Sequence, residues 1–304
     1  MRPKVSVIMP TYGDPAFLPR SIESVRRQSY PHWELIVVDD NDPAAEARRS
    51  TEAAMAAYRE DSRICYLQHD RNRNGAAARN TGIARAAGEY IAFLDSDDEY
   101  APQRLERCLA ALEGAPDPWA GVYTGCEIWQ GGRLVRRRTH IKSGNFLAET
   151  LAAAFPLSSG SNLFLRAGVV RELGGFDENF RRHQDYEFLV RYFRRYSLLA
   201  LPEVLLTKHE LGVNRPSLEV FQTTKRQYLE KYRPELAALG PAQRAAVYAE
   251  HALGLQAAAL AEGRPGAFCC FTARALVRRP GYTLIRTVKL FGRRILGRSG
   301  RVEA

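Results

Sequence analysis

Four short apolar runs, separated by polar loops and helical stretches, constrain this chain more than any other feature of its sequence. Val5-Ser6-Val7-Ile8-Met9 is the first run and Leu35-Ile36-Val37-Val38 the second. Ile64-Cys65-Tyr66-Leu67 is the third and Tyr90-Ile91-Ala92-Phe93-Leu94 the fourth. Between them Phe17, Leu18, Ile22 and Val25 recur at helical spacing, and residues 44–58 and 76–87 are alanine-rich helix candidates. Strands that alternate with helices predict an α/β domain with a mostly parallel, doubly wound sheet and right-handed crossovers. Ligands of such sheets sit beyond the carboxyl ends of the strands.

The candidate polar groups fall at that edge. Pro10-Thr11-Tyr12-Gly13-Asp14 follows the first strand and Asp39-Asp40-Asn41-Asp42 the second. His69-Asp70-Arg71-Asn72, then Gly75 and Arg79-Asn80, follow the third. The fourth runs into Asp95-Ser96-Asp97-Asp98, three carboxylates in four residues. Carboxylates crowded at the end of a buried strand repel one another in a low dielectric and call for a compensating cation. Hard oxygen donors of this kind suit magnesium or manganese, with phosphate oxygens completing the shell. Each loop alone has a plainer reading: Pro10 and Gly13 as turn residues, Asp39-Asp40 as a helix cap, the acidic run as a turn before a helix at residues 102–113.

Further along, Gly131-Gly132 between Glu127-Ile128-Trp129 and a basic segment suggests a hairpin. Leu163-Phe164-Leu165 reads as a short strand, and Gly174-Gly175-Phe176-Asp177 as a turn. Tyr186, Leu189, Val190 and Phe193 mark a helix whose first turn holds Asp185, where the helix dipole favours a carboxylate. From Ser217 the chain reads as helical. Within residues 282–296, Leu284, Ile285, Val288, Phe291 and Ile295 gather on one face, with Arg286, Lys289, Arg293 and Arg294 opposite and Leu290 breaking the pattern.

The 304 residues suffice for one large domain or two modest ones. No apolar run reaches the ~18 residues that a membrane span needs, and the first residues lack the apolar stretch of a secretory signal. Five cysteines without metal-like spacing fit reduced thiols in a cytosol. Of the net charge of +10, residues 264–304 supply +9, ten basic residues against Glu303. The rest is nearly neutral, and the tail lacks interleaved aromatics, so no nucleic-acid partner is expected. A basic amphipathic helix predicts peripheral contact with an anionic bilayer through residues 282–296, the alternative being a helix packed on the protein's own surface.

Taken in order, Val5-Ser6-Val7-Ile8-Met9-Pro10-Thr11-Tyr12, Glu34-Leu35-Ile36-Val37-Val38-Asp39-Asp40, Asn72 with Ala78-Arg79-Asn80-Thr81-Gly82, Phe93-Leu94-Asp95-Ser96-Asp97-Asp98, Gly174-Gly175-Phe176-Asp177 and Gln184-Asp185 resemble glycosyltransferase family 2, inverting enzymes of the glycosyltransferase-A fold. The likeness runs from Val5 to Ser217. It implies a single catalytic domain: residues 1–125 as the nucleotide-sugar-binding half, 126–216 as the acceptor-binding half, and 217–304 as a helical extension. It implies a nucleoside-diphosphate-sugar donor, usually a uridine diphosphate sugar, a divalent metal (Mn2+ or Mg2+), and a glycan or lipid-linked acceptor. By the same resemblance Pro10, Thr11 and Tyr12 line the base and ribose, and Asp39 or Asp40 accepts a hydrogen bond from the base. Arg71 covers base or phosphates, Arg79 orders the acidic loop, and Asp95 and Ser96 meet the nucleotide. Asp97 holds the metal with Asp95 in support, His209 touches metal or diphosphate, and Asp185 is the general base. The setting expected for such an enzyme is cytoplasmic, at the inner face of the plasma membrane.

The sequence departs from the family pattern at Asn41-Asp42-Pro43, where Gly-Ser is frequent, at Gly13, and at Gln184, where glutamate is usual. Two other readings compete. A haloacid-dehalogenase-like phosphotransferase also ends a strand in Asp-x-Asp, but wants a threonine just after it, where this chain has Asp98-Glu99-Tyr100. A non-catalytic membrane-associated relative would have little use for both Asp97 and Asp185.

Overall fold

The computed structural model describes residues 5–157, 159–210 and 216–295, with side chains to residue 291. They divide into two units, one of residues 5–145 and 157–210, the other of residues 146–156 and 216–295.

The first unit is built on a nine-stranded sheet. Its strands are β1 (Val5–Thr11), β2 (Trp33–Asp39), β3 (Ile64–Gln68), β4 (Tyr90–Phe93), β5 (Glu99–Tyr100), β6 (Trp119–Gln130), β7 (Arg133–Arg138), β8 (Phe164–Arg166) and β9 (Ser197–Glu210). The order is β3-β2-β1-β4-β8-β6-β9-β5, with β7 paired to β6. β3, β2, β1 and β4 are mutually parallel. β8 then runs antiparallel between β4 and β6, and β9 lies parallel to β6. The helices are α1 (Leu18–Arg26), α2 (Glu46–Ala56), α3 (Gly75–Arg85), α4 (Arg104–Leu112), α5 (Leu147–Leu151), α6 (Ala167–Glu172) and α7 (Gln184–Phe193). They continue as α8 (Leu218–Lys231), α9 (Arg233–Ala238), α10 (Pro241–Ala261), α11 (Pro265–Arg278) and α12 (Pro280–Ile295).

Burial on both faces explains why the parallel strands read as continuous apolar runs. Val5, Val7 and Met9 join Leu35 and Val37 in a core with Leu18, Ile22 and Val25 of α1 and Leu105 and Leu109 of α4. On the other face Ile8 meets α3, where a Cβ at Gly82 would lie 2.4 Å from Ile8 Cγ2. Only glycine lets the helix lie that close. Asn74 caps α3, its Oδ1 accepting from the amides of Ala76 (2.8 Å) and Ala77 (3.3 Å). β1 sits between β2 and β4, so the chain winds outward from it in both directions and opens a crevice at the carboxyl ends of β1 and β4.

The expected hairpin is β6–β7, turning through Gly131 and Gly132, both at positive φ. The segments around Gly121 and Glu127 belong to one twelve-residue strand, β6. In the second unit Leu218, Ala259 and Phe271 form one small core, and Ala252, Leu253 and Ala275 another. Gln256 Nε2 donates to Thr272 Oγ1 (2.8 Å) and Thr287 Oγ1 (2.9 Å), knitting α10 to α11 and α12. Among the described residues no helix is long and apolar enough to cross a membrane. Arg293, Arg294, Ile295 and residue 296 of the amphipathic pattern have side chains outside the described residues.

Candidate active site

Thr11, ending β1, is buried, whereas Tyr12 beside it is 67% exposed. Pro10 is half-buried. Asp39, ending β2, is fully buried and its carboxylate is largely engaged. Oδ1 accepts from the Asn41 amide (2.9 Å) and Nδ2 (2.8 Å), and Oδ2 from Tyr66 Oη (2.6 Å), with Arg48 Nε at 3.1 Å. Three hydrogen bonds and one ion pair thus engage most of the roughly four lone-pair positions a carboxylate offers. Asp40 is nearly as engaged: Oδ1 meets His69 Nδ1 (2.7 Å) and the Arg73 amide (2.8 Å), and Oδ2 accepts from Asn72 Nδ2 (2.9 Å). Arg71 is exposed in the same loop.

The acidic turn after β4 is different. The Asp98 amide donates to Asp95 O at 3.0 Å, closing the turn. Ser161 pins both ends, its Oγ accepting from the Asp95 amide (2.9 Å) and donating to Asp98 Oδ2 (2.7 Å). Beneath it the buried Arg104 guanidinium donates to Thr124 Oγ1, Ser161 O and Asn162 Oδ1. Burial and the neighbouring carboxylates, opposed by Lys208, push the Asp98 carboxyl up to about 7. Burial, then the charge of Asp95, likewise raises Asp97. Burial works against ionised Asp95 too, but Arg79 and Lys208 outweigh it and hold that carboxyl below the usual range. Ser96 lies half-buried within the turn.

Arg79 is the bridge. From α3 its Nη2 donates to Asp95 Oδ1 (2.6 Å) and its Nη1 to Gln184 Oε1 (2.8 Å). Its guanidinium also lies 5.5 Å from the ring centre of Phe176. The next residue, Asn80, exchanges two 2.8 Å hydrogen bonds with the backbone of Phe176, anchoring the Gly174-Gly175 turn. Thus Gln184, the departure noted in the sequence, gives Arg79 a neutral partner. Asp185 follows it in the first turn of α7, its Oδ1 accepting from the Tyr186 amide (2.9 Å). Burial raises the Asp185 carboxyl, with Arg79 acting against this and Asp95 with it. Asp95 thus meets the Arg79 guanidinium directly, and Asp97 and Asp185 each lie within electrostatic reach of Asp95.

His209, expected beside metal or diphosphate, sets Nε2 against Glu99 Oε1 at 2.8 Å, and its amide donates to Asp98 Oδ1 (3.1 Å). Arg20 completes that cluster, with Nε 3.1 Å from Glu99 Oε1 and Nη2 donating to Asp97 O (3.0 Å). Sequence reasoning missed Lys208, next to it on β9. Burial opposes the Lys208 ammonium, yet Asp98, Asp95 and Asp97 together keep its pKa above the usual lysine value. Its signal was present: Thr207-Lys208-His209-Glu210 follows Val204-Leu205-Leu206, another apolar run that leads into polar residues.

Among the described residues no three His, Cys, Asp or Glu side chains are grouped to hold a metal by themselves. Asp95 and Asp97 nevertheless fit a hard cation that draws its remaining ligands from a substrate. Both are oxygen donors, and burial and the charge of Asp95 raise the carboxyl of Asp97, a penalty that a bound cation would offset.

A family model described as Glycosyl transferase family 2 matches residues 6–174, more than half of the chain. The chain belongs to glycosyl transferase family 2. This family 2 chain is 30% identical over 191 residues to the amylovoran biosynthesis glycosyltransferase AmsB of Erwinia amylovora, covering 61% of this chain and 62% of AmsB. It thus spans about three fifths of that relative's length. The S. aureus TarS fragment 1–349, solved in complex with UDP-GlcNAc, matches with a TM-score of 0.58 at 17% identity, over 95% of this chain and 92% of that one. The mannosyltransferase PcManGT from Pyrobaculum calidifontis, solved with GDP-Man and Mn2+, gives 0.58 at 20% identity, over 96% and 81%. At such identities the likeness is one of fold, the glycosyltransferase-A fold that the motifs implied.

Proposed function

We propose that this chain transfers a sugar from a nucleoside-diphosphate donor, most simply a uridine diphosphate sugar, to a hydroxyl of a glycan or lipid-linked acceptor, with inversion at the anomeric carbon. The Arg79 bridge is the observation that supports this reading best, because it links Asp95 of the acidic turn to Gln184, the residue just before Asp185. Family membership, the nucleotide sugars bound to TarS and PcManGT, and AmsB's part in amylovoran biosynthesis support the same reading.

Thr11, Tyr12, Asp40, Arg71 and Ser96 border the nucleotide side. Asp39, with most of its lone pairs already taken, shapes that side from behind. A divalent cation, Mn2+ or Mg2+, would be held by Asp97 with Asp95 and would offset charge that develops on the departing diphosphate. Glu99 holds Nε2 of His209, an arrangement that orients the ring and leaves Nδ1 as the nitrogen that would meet the metal or the diphosphate. Lys208 adds positive charge on the same side. On the other side the acceptor oxygen attacks the anomeric carbon as the bond to the diphosphate oxygen breaks, and the acceptor's proton passes to Asp185. Burial strengthens that carboxylate as a base. Its task is placement, since the hydroxyl becomes acidic only as the new bond forms.

The test is transfer from a panel of nucleotide sugars, with the anomeric configuration of the product read by proton NMR. Inversion that disappears in both Asp97→Ala and Asp185→Asn is expected. Retention, or undiminished transfer in both variants, overturns the mechanism. Peripheral contact with the inner face of the plasma membrane is part of the proposal. Leu284, Ile285 and Val288 on α12 are 58%, 58% and 70% exposed, a face free to enter a bilayer interface. Flotation with anionic vesicles that Val288→Glu abolishes is the expected outcome, and equal flotation of both proteins removes this part.

A further inference from the structure

The helical unit contains a cavity of about 460 Å³ that the transfer reaction does not use. That volume lies in the ~300–1,000 Å³ range of small-molecule sites. Lys225 and Arg226 of α8, Arg233 of α9 and Arg274 of α11 line it, with Glu230 as the one acidic residue of the lining. Elsewhere in this unit Arg264 pairs with Glu219 and Arg286 with Glu250. Among the described residues, none of the four cations at the cavity has a carboxylate partner.

Lys225 is the telling residue, only 5% exposed. Its Nζ lies 3.3 Å from His251 Nδ1. His251 Nε2 is 2.8 Å from the carbonyl oxygen of Leu151, so that nitrogen carries the ring proton and Nδ1 presents a lone pair to the lysine. The hydrogen-bond partner of Lys225 is therefore neutral; the Phe221 ring lies 4.6 Å from the ammonium, and no carboxylate meets it directly. Burial drives this ammonium down to about 8, against a smaller opposing pull from Glu250. An anion in the cavity would remove that penalty and give the arginines fork-shaped hydrogen bonds to oxygen.

We propose that this cavity is a second ligand site, specific for a phosphate-bearing anion, in which Lys225, Arg226, Arg233 and Arg274 take the phosphoryl oxygens. The anion is a free phosphate or diphosphate compound or the phosphomonoester headgroup of a lipid; the recognition chemistry is the same. Nothing in the proposal depends on Asp97 or Asp185.

The experiment titrates inorganic diphosphate into the full chain by calorimetry without divalent cations. It compares the wild type, Lys225→Met, the exposed pair Arg226→Gln with Arg274→Gln, and Asp97→Ala. One saturable site is expected, unchanged in Asp97→Ala and weakened roughly tenfold for each charge-assisted contact removed. The double arginine variant leaves the buried residues untouched and covers the case in which Lys225→Met does not fold. A second arm sediments the protein with phosphatidylcholine vesicles with or without phosphatidic acid. Phosphatidic-acid-dependent binding that diphosphate displaces and the pocket variants lose identifies a lipid headgroup. Vesicle binding indifferent to the pocket variants, alongside their loss of diphosphate, identifies a free phosphate compound. No saturable diphosphate binding to the wild type, or undiminished binding in both pocket variants, overturns the site.

Discussion

Two acidic loops at the same rim of the sheet treat their carboxylates in opposite ways. After β2, Asp39 and Asp40 are enclosed by donors from the chain itself, namely Arg48, Tyr66, Asn41, His69, Asn72 and the Arg73 amide. After β4, the chain answers Asp95 with Arg79 and Asp98 with the hydroxyls of Ser159 and Ser161 and the His209 amide, but leaves Asp97 with a raised carboxyl and only the more distant help of Lys208 and Arg20. A saturated buried charge holds structure together, because removing one partner strands the other. An unsaturated one costs stability, and a fold keeps it when a ligand's charge completes it. By that contrast the β2 loop is scaffold and the β4 turn is the working side of the site.

The largest expected effect breaks the comparison open directly. Asp97→Ala should lower transfer about a thousandfold or more while leaving the unfolding midpoint in urea nearly unchanged. Asp39→Ala should do the reverse, costing about 3–5 kcal/mol of stability because it leaves the buried charge of Arg48 with backbone carbonyls but no carboxylate. If both variants lose stability equally, the division into scaffold and working loops is wrong. Next, Asp185→Asn should reduce kcat by about 10²–10⁴ with nucleotide affinity intact, as measured by steady-state kinetics and calorimetry. A smaller loss is expected of Arg79→Lys, which cannot reach Asp95 and Gln184 with one fork: about 1.5–3 kcal/mol in kcat/KM. An unchanged kcat/KM would mean that the bridge is ornamental.

The mildest effect extends the contrast to the helical unit. The ammonium of Lys225 is depressed to about 8, against about 10.4 when exposed. Between these values the unfolded chain binds the extra proton, so stability rises with pH across that window and the burial cost is fully present below it. Lys225→Met should therefore raise the melting temperature at pH 7, with the gain shrinking toward pH 10. A gain independent of pH would show that packing, not charge, is responsible.

Much of this was legible in the sequence. The four parallel strands, their loops and the hairpin at Gly131-Gly132 follow from patterns that short range sets. β9 was legible only in its second half, the apolar run Val204-Leu205-Leu206, for a local reason. Pro202 interrupts its apolar alternation, and a proline argues against an internal strand. The sheet absorbs it by a slip in register: Thr124 faces Leu201, but Gly125 faces Val204, leaving Pro202 and Glu203 unmatched. With β9 went Lys208. The role of Gln184 was hidden because its partner Arg79 lies 105 residues away. Asp39 and Asp97 look alike as acids after apolar runs. Only the enclosure of one by Arg48, Tyr66 and Asn41, a matter of three dimensions, separates scaffold from site.

Binding of uridine diphosphate by calorimetry, with and without Mn2+, tests that separation most directly. Wild type and Asp185→Asn should bind in a Mn2+-dependent manner, and Asp97→Ala should lose that dependence along with most of its affinity. Equal binding without the metal, or Mn2+-dependent binding undiminished in Asp97→Ala, would show that the open carboxylate of the β4 turn is not reserved for a cation and its diphosphate.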